Sequence, residues 1–355
     1  MTDNTDDKNG KWEDYAFNEV HSLIRSLNIT QSHPLDVNAK ELRYLAALFA
    51  EMSYHLVPDW EVDKRKRAKL YRIPSSGYQT LVDKGIRGAA NVLQAFSDAD
   101  LPKPFVTSSA GIVAVGVVIN GIMFVGFRGT ALLFDWKVNI RAELVRVDSA
   151  HRKSEHHVFD HCVIEDKKVL SGGVHSGFAE EAIRITKRVL DAIPAADRSY
   201  IKHVVLAGHS LGGAVAAISK YLIQEWPTTA FLFGAPRYAD AGFYLNAFDN
   251  FPIQVRRTGD LVPTVPPRSY GFCDHPNDLA TNGEEYIDTS LNSWFASDLL
   301  NWCKFLKSGV VAHKMEGYRI EIGLHIGADY AEKPLTKFVE ITNKNICIND
   351  AFNAS

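Results

Sequence analysis

The residues with the clearest capacity for chemistry are Gly208-His209-Ser210-Leu211-Gly212-Gly213, a G-x-S-x-G pattern. In a strand-turn-helix setting, this pattern holds a serine on a tight turn with its hydroxyl projecting, ready to attack an acyl carbonyl. The glycines are steric requirements, because side chains two positions from the serine would keep strand and helix from closing. By chance the pattern arises in about one chain in ten of this size, so its surroundings must decide. Lys202–Gly208 is an apolar run ending in glycine and Leu211–Gln224 has helical composition, which is the setting required.

A serine hydroxyl needs a histidine to take its proton, and that histidine needs a carboxylate to fix its tautomer. When serine lies on such an elbow, acid and then histidine follow it in the chain. Of the thirteen histidines only His275, His313 and His325 lie beyond a plausible acid. Asp260 stands just after a strand candidate, where catalytic groups of open parallel sheets collect. Asp240 and Asp249 compete with it, and both read as surface residues near a helix.

The elements that must position these groups read as alternating strands and helices. Strands are expected at 202–208, 229–234 and 252–257, with helices between them, which predicts βαβ units around a mostly parallel sheet. Gly111–Phe127 is the longest apolar stretch, but its glycines and the Asn120-Gly121 pair make it a buried hairpin. A membrane-spanning helix needs about 18 to 20 uninterrupted apolar residues, and no transmembrane segment is expected.

Four motifs together resemble the class 3 lipase family: Phe127-Arg128-Gly129-Thr130, Val174-His175-Ser176-Gly177-Phe178, GHSLGG at 208–213, and Phe233-Gly234-Ala235-Pro236-Arg237. The resemblance covers about Gly111 to Tyr318. It implies an α/β-hydrolase fold, a central mostly parallel sheet flanked by helices, and hydrolysis of a carboxylic ester, most naturally an acylglycerol. Asp260-Leu261-Val262-Pro263 matches the family's acid pattern, and His313, with Tyr318 five positions on, is similar to its base. The implied triad is Ser210, Asp260 and His313.

A developing oxyanion needs preorganised N–H donors, each worth about 100- to 1,000-fold in rate. One is expected from Leu211, and the resemblance implies Thr130 as the other, with Arg128 anchoring that loop. His175 and His209 read as packing and orienting residues. The family's lid follows the oxyanion loop, which here brings Leu132, Leu133, Phe134 and Trp136. An aromatic segment at Leu291–Leu306, with Trp294 and Phe295, is a second candidate for a cap or a contact with a lipid surface; an ordinary buried helix is the alternative for each. A phospholipase A or a short-chain esterase would use the same triad, while a non-catalytic lipid- or protein-binding module would not be expected to keep it whole.

Composition bounds the rest. A 355-residue chain with 46% hydrophobic and 23% charged residues buries a large core. A net charge of −3 offers no global field for a nucleic acid. Residues 1–38 read as an extension before a domain at 39–355, with a basic cluster at 64–72. Polar, Asp-rich residues 1–15 lack the pattern of a secretory signal, which suggests a cytoplasmic protein, with export by another route left open. The cysteines 162, 273, 303 and 347 have no CxxC spacing, the histidines at 151–161 fit no standard metal site, and no metal or organic cofactor is expected.

Overall fold

The computed structural model describes residues 16–27, 35–54, 99–109, 112–129, 144–147, 172–246, 251–286 and 312–335. Among them, strands β1 (Phe105–Ser109), β2 (Ile112–Ile119) and β3 (Ile122–Arg128) open the main sheet. β4 (Leu144–Val147) and β5 (Gly172–His175) form a small antiparallel pair. The main sheet continues with β6 (His203–His209), β7 (Thr228–Phe233), β8 (Ile253–Arg256) and β9 (Asp278–Ala280), in the order β1-β2-β3-β6-β7-β8-β9. β1 to β3 are antiparallel and every later neighbour is parallel.

The expected hairpin is β2-β3, joined by Asn120 (φ 51°) and Gly121 (φ 81°). Two consecutive left-handed residues give a turn whose twist matches that of the flanking strands, and Asn-Gly adopts it at low cost. The register, Ile119 opposite Ile122, follows from that two-residue loop. β3 then pairs in parallel with β6, so the hairpin is the antiparallel end of a doubly covered sheet.

Both faces are dry. Along β6, Val204 and Leu206 point into one core, while Val205 and Ala207 point into the other, as the two-residue period of a strand dictates. One face is covered by α3 (Ser176–Ala192) and α4 (Leu211–Leu222). The other is covered by α2 (Lys40–Met52), whose residues from Leu42 to Met52 are all buried. α2 lies close enough that a Cβ on Gly126 would sit 2.0 Å from the Phe49 carbonyl oxygen, and the Phe49 and Phe124 rings stack at 4.6 Å. Each such buried side chain contributes about 1.5–3 kcal/mol.

α1 (Val20–Ser26) lies within the stretch set apart as an extension, yet Ala16, Val20 and Ile24 are buried in the α2 core. Tyr44 of α2 donates a hydrogen bond to Glu19 (3.0 Å). On the other side of α2 comes α6 (Met315–Ile326), after the short α5 (Ala241–Asn246). The fully buried Arg319 of α6 donates to Glu51 Oε2 (2.6 Å) and to the Ala331 carbonyl (2.7 Å). Removing one partner of a buried pair of this kind costs about 3–5 kcal/mol. α6 is thereby fixed on α2, and His313, two residues before α6, is fixed with it.

Edge strands β1 and β9 were not expected from the sequence. β9 carries a carboxylate into a buried setting: burial outweighs the attraction of the Arg256 guanidinium, 3.2 Å away, and lifts the Asp278 carboxyl from its ordinary 3.8 to about 6. A raised folded-state value means that this group's contribution to stability is present below pH 3.8 and is lost as pH rises through about 6. The melting midpoint of Asp278→Asn minus that of the native chain should therefore be more positive at pH 8 than at pH 4.

Candidate active site

Ser210 stands between β6 and α4 at φ 58°, ψ −130°, a backbone conformation rare for a residue with a side chain. The surroundings leave it no alternative. A Cβ on Gly208 would lie 2.1 Å from the Gly212 carbonyl oxygen, and one on Gly212 would lie 2.3 Å from that of Phe127. The turn is tied from both sides, by Ser210 N–H to the Phe233 carbonyl (3.0 Å) and Gly213 N–H to the Ser210 carbonyl (2.9 Å). Leu211 is the first residue of α4, so its N–H has no acceptor within the helix. Gly129 closes in beside the serine: a Cβ placed on it would sit 3.0 Å from Ser210 Cβ.

Asp260 follows β8 and is 2% exposed. Its Oδ1 accepts the Val262 N–H (2.9 Å), and its Oδ2 accepts both His313 Nδ1 (2.8 Å) and the Tyr318 hydroxyl (2.5 Å). Burial alone would raise this carboxyl, but the His313 ring, Tyr318 and the Val262 amide outweigh it and hold the group below its ordinary value. The carboxylate accepts a hydrogen bond from Nδ1–H, which leaves Nε2 as the nitrogen free to act as base. Burial and the neighbouring carboxylate raise the Tyr318 phenol well above its usual range, so it remains a donor.

Gly234, from the fourth motif, forms the floor of this pair. At φ 57° it has the left-handed backbone that glycine tolerates, and a Cβ there would stand 2.4 Å from Asp260 Oδ2 and 2.7 Å from the Tyr318 hydroxyl. Arg237 of the same motif holds the loop that follows the acid. It donates to the carbonyls of Thr264 and Pro266, and its Nε meets Asp274 Oδ1 at 2.6 Å. Arg257 performs the corresponding task for the base: Nη1 donates to the Ala312 carbonyl (2.8 Å), while Nε and Nη2 clasp Glu321 Oε1 (2.9 and 2.6 Å).

The structure thus brings together Asp260 and His313, from segments more than fifty residues apart, and sets Ser210 and Leu211 on the adjoining elbow. Asp240 instead caps α5, its Oδ1 accepting the Phe243 N–H (2.7 Å). His275 is buried, with Nδ1 accepting the Asn277 N–H (3.1 Å) and its value pushed down to about 3 by burial. His325 is exposed on α6. His175 stacks on Phe178 at 4.0 Å. His209 packs its ring 4.4 Å from that of His313 and bonds to the His313 carbonyl (2.6 Å).

Several expected features lie outside the described residues: Thr130, the lid candidates Leu132, Leu133, Phe134, Trp136, Trp294 and Phe295, Asp249, the basic cluster at 64–72, the histidines at 151–161, and every cysteine except the half-buried Cys273. Among the described residues no His, Cys, Asp and Glu cluster could hold a metal ion, and no helix is long and apolar enough to cross a membrane. Three residues of the site escaped the sequence reading. Arg257 stands three positions before the acid, which was a usable signal; Glu321 carried none, nor did Tyr54, whose hydroxyl lies 2.6 Å from His209 Nδ1.

Residues 124–270 match the family described as lipase (class 3). Among curated proteins, the chain is similar to a secreted mono- and diacylglycerol lipase of Fusarium solani, 31% identical over 106 residues, 28% of this chain and 32% of that one. It is also similar to a chloroplastic/mitochondrial phospholipase A1 of Oryza sativa subsp. indica, 32% identical over 133 residues, 34% and 30% of the two chains. A lipase of Rhizomucor miehei is 29% identical over 141 residues, 36% and 39%. The chain thus spans between 30% and 39% of the length of these relatives. The solved lipase of Rhizopus microsporus var. chinensis aligns over 68% of this chain and 73% of that one, at 18% identity and a TM-score of 0.42.

Proposed function

With residues 124–270 matching the class 3 lipase family, we propose that this chain is a serine-dependent carboxylic ester hydrolase acting on lipid esters. The observation that carries the reading is the 2.8 Å contact of buried Asp260 with His313 Nδ1, beside a serine held at φ 58° on a strand-to-helix elbow. In this reading His313 Nε2 takes the Ser210 proton as Oγ attacks the ester carbonyl. The oxyanion that forms is met by the Leu211 N–H and, on the family's pattern, by Thr130. Collapse breaks the bond to the alcohol, which leaves with the proton from His313, and an acyl-enzyme remains. A water molecule, deprotonated by His313, then releases the acid and regenerates Ser210.

The mono- and diacylglycerol lipase and the triad's position in the resemblance favour acylglycerols as substrates. A phospholipase A1 among the similar proteins supports phospholipid as the second candidate on the same groups. Apolar cover from Leu132, Leu133 and Phe134, or from Trp294 and Phe295, is proposed to set how much of the acyl chain is bound. A fluorophosphonate probe should label Ser210 alone, and hydrolysis should be compared across p-nitrophenyl esters of short to long chains, a triglyceride and a phospholipid. The reading expects a higher kcat/KM for long-chain or lipid substrates, since each buried methylene contributes about 0.8 kcal/mol of binding. Absence of both labelling and hydrolysis would overturn it.

A further inference from the structure

The GHSLGG histidine and a tyrosine outside every motif are joined in a directed chain of hydrogen bonds. Tyr54 lies two residues past the end of α2, and its hydroxyl is 2.6 Å from His209 Nδ1. The same hydroxyl accepts the Gly129 N–H (3.3 Å), immediately before the oxyanion loop's Thr130. On the far side of the ring, His209 Nε2 is 2.6 Å from the backbone carbonyl of His313. A carbonyl oxygen only accepts, so Nε2 carries the proton; in the neutral ring Nδ1 is then a lone pair, and the Tyr54 hydroxyl must donate to it. Each link then has one donor and one acceptor: Gly129 N–H to Tyr54, Tyr54 O–H to His209, His209 N–H to His313.

We propose that Tyr54 and His209 are positioning residues for the hydrolytic reaction, holding the oxyanion loop and the backbone of the base at a fixed separation through the Nε2–H tautomer of His209. The proposal rests on the hydrolase reading above. Its physical basis is that one end of this chain is the amide of Gly129, next in sequence to Thr130, and the other is the backbone of His313, the base of that reading. Small displacements of such groups are costly to rate although nothing touching substrate is lost.

The surroundings keep the chain in one state. His209 is 5% exposed, and burial together with the nearby His313 ring holds its imidazole neutral, well below its ordinary value. The Tyr54 phenol is pushed up by burial, which keeps its proton available to donate. α2, which ends two residues before Tyr54, is pinned by the buried Glu51–Arg319 pair to α6, the helix that follows His313. The tyrosine and the base are therefore referenced to the same rigid pair of helices.

Tyr54→Phe keeps the ring and deletes only the hydroxyl, so it separates positioning from packing. On a soluble short-chain p-nitrophenyl ester the proposal expects kcat to fall about ten- to a hundred-fold, with KM within about twofold and the melting midpoint nearly unchanged. His209→Gln should lose activity similarly, and the double variant should lose little more than either alone, because both break one chain. Long-range 15N–1H correlation of the native imidazole should show His209 protonated at Nε2. This measurement needs no variant to fold. Unchanged kcat in folded Tyr54→Phe, strictly additive losses, or an Nδ1–H tautomer at His209 would overturn the proposal. The Ser210→Ala variant marks the difference from the reading beneath it: if that variant still turns over, the hydrolase reading fails; if it is inactive while Tyr54→Phe is fully active, only the positioning role fails.

Discussion

On the proposed function, Ser210→Ala is expected to remove ester hydrolysis almost entirely, by about a million-fold where chemistry limits the rate, as nucleophile deletions do in serine hydrolases. The fold should survive. Alanine keeps the Cβ, and the elbow is held by backbone contacts, Ser210 N–H to Phe233 and Gly213 N–H to Ser210, which the substitution does not touch. Residual turnover would come from water attacking a carbonyl still polarised by N–H donors at the α4 terminus. The measurement is single-turnover hydrolysis of a p-nitrophenyl ester with the melting midpoint recorded on the same preparation. Substantial activity in the folded variant would remove Ser210 from the mechanism.

Asp260→Asn is expected to cost about 10⁴-fold in rate with little loss of substrate binding. The geometry explains why neither orientation of the amide is acceptable. With its oxygen toward His313 and Tyr318, the NH₂ group faces the Val262 N–H, now two donors at a site where the carboxylate accepted at 2.9 Å. Turned over, the NH₂ meets His313 Nδ1–H and the Tyr318 O–H, formerly 2.8 and 2.5 Å from Oδ2. The imidazole escapes that clash by moving its proton to Nε2, which is the nitrogen required as base. Asp240→Asn, by contrast, changes a helix cap worth about 1 kcal/mol and should leave kcat near native. A mild Asp260→Asn beside a damaging Asp240→Asn would reverse the assignment. Because the Asp260 carboxyl is held below its ordinary 3.8, its contribution to stability is present above pH 3.8 and is lost only as pH falls through the lower folded-state value.

The sequence by itself determined what local rules govern. Asn120-Gly121 dictates a two-residue turn, apolar runs at 202–208 and 229–234 announce strands, found at 203–209 and 228–233, and glycines at 208 and 212 dictate an elbow. Chain order after Ser210 limited acid and base to a few residues, and the resemblance selected Asp260 and His313 among them. Tertiary structure decided whatever depends on distant segments meeting. Glu51 finds Arg319 across 268 positions, and Tyr54 finds His209 across 155. No periodicity or spacing encodes such contacts, because their energy arises only after the sheet has brought α2 and α6 onto one face and excluded water between them. The short edge strands β1 and β9 likewise exist only by pairing, since Phe105–Ser109 and Asp278–Ala280 have little apolar alternation to announce them. An elbow can be read from six residues, because its sterics are local. The partners that hold the elbow and the base in register are chosen by the packing of the whole domain.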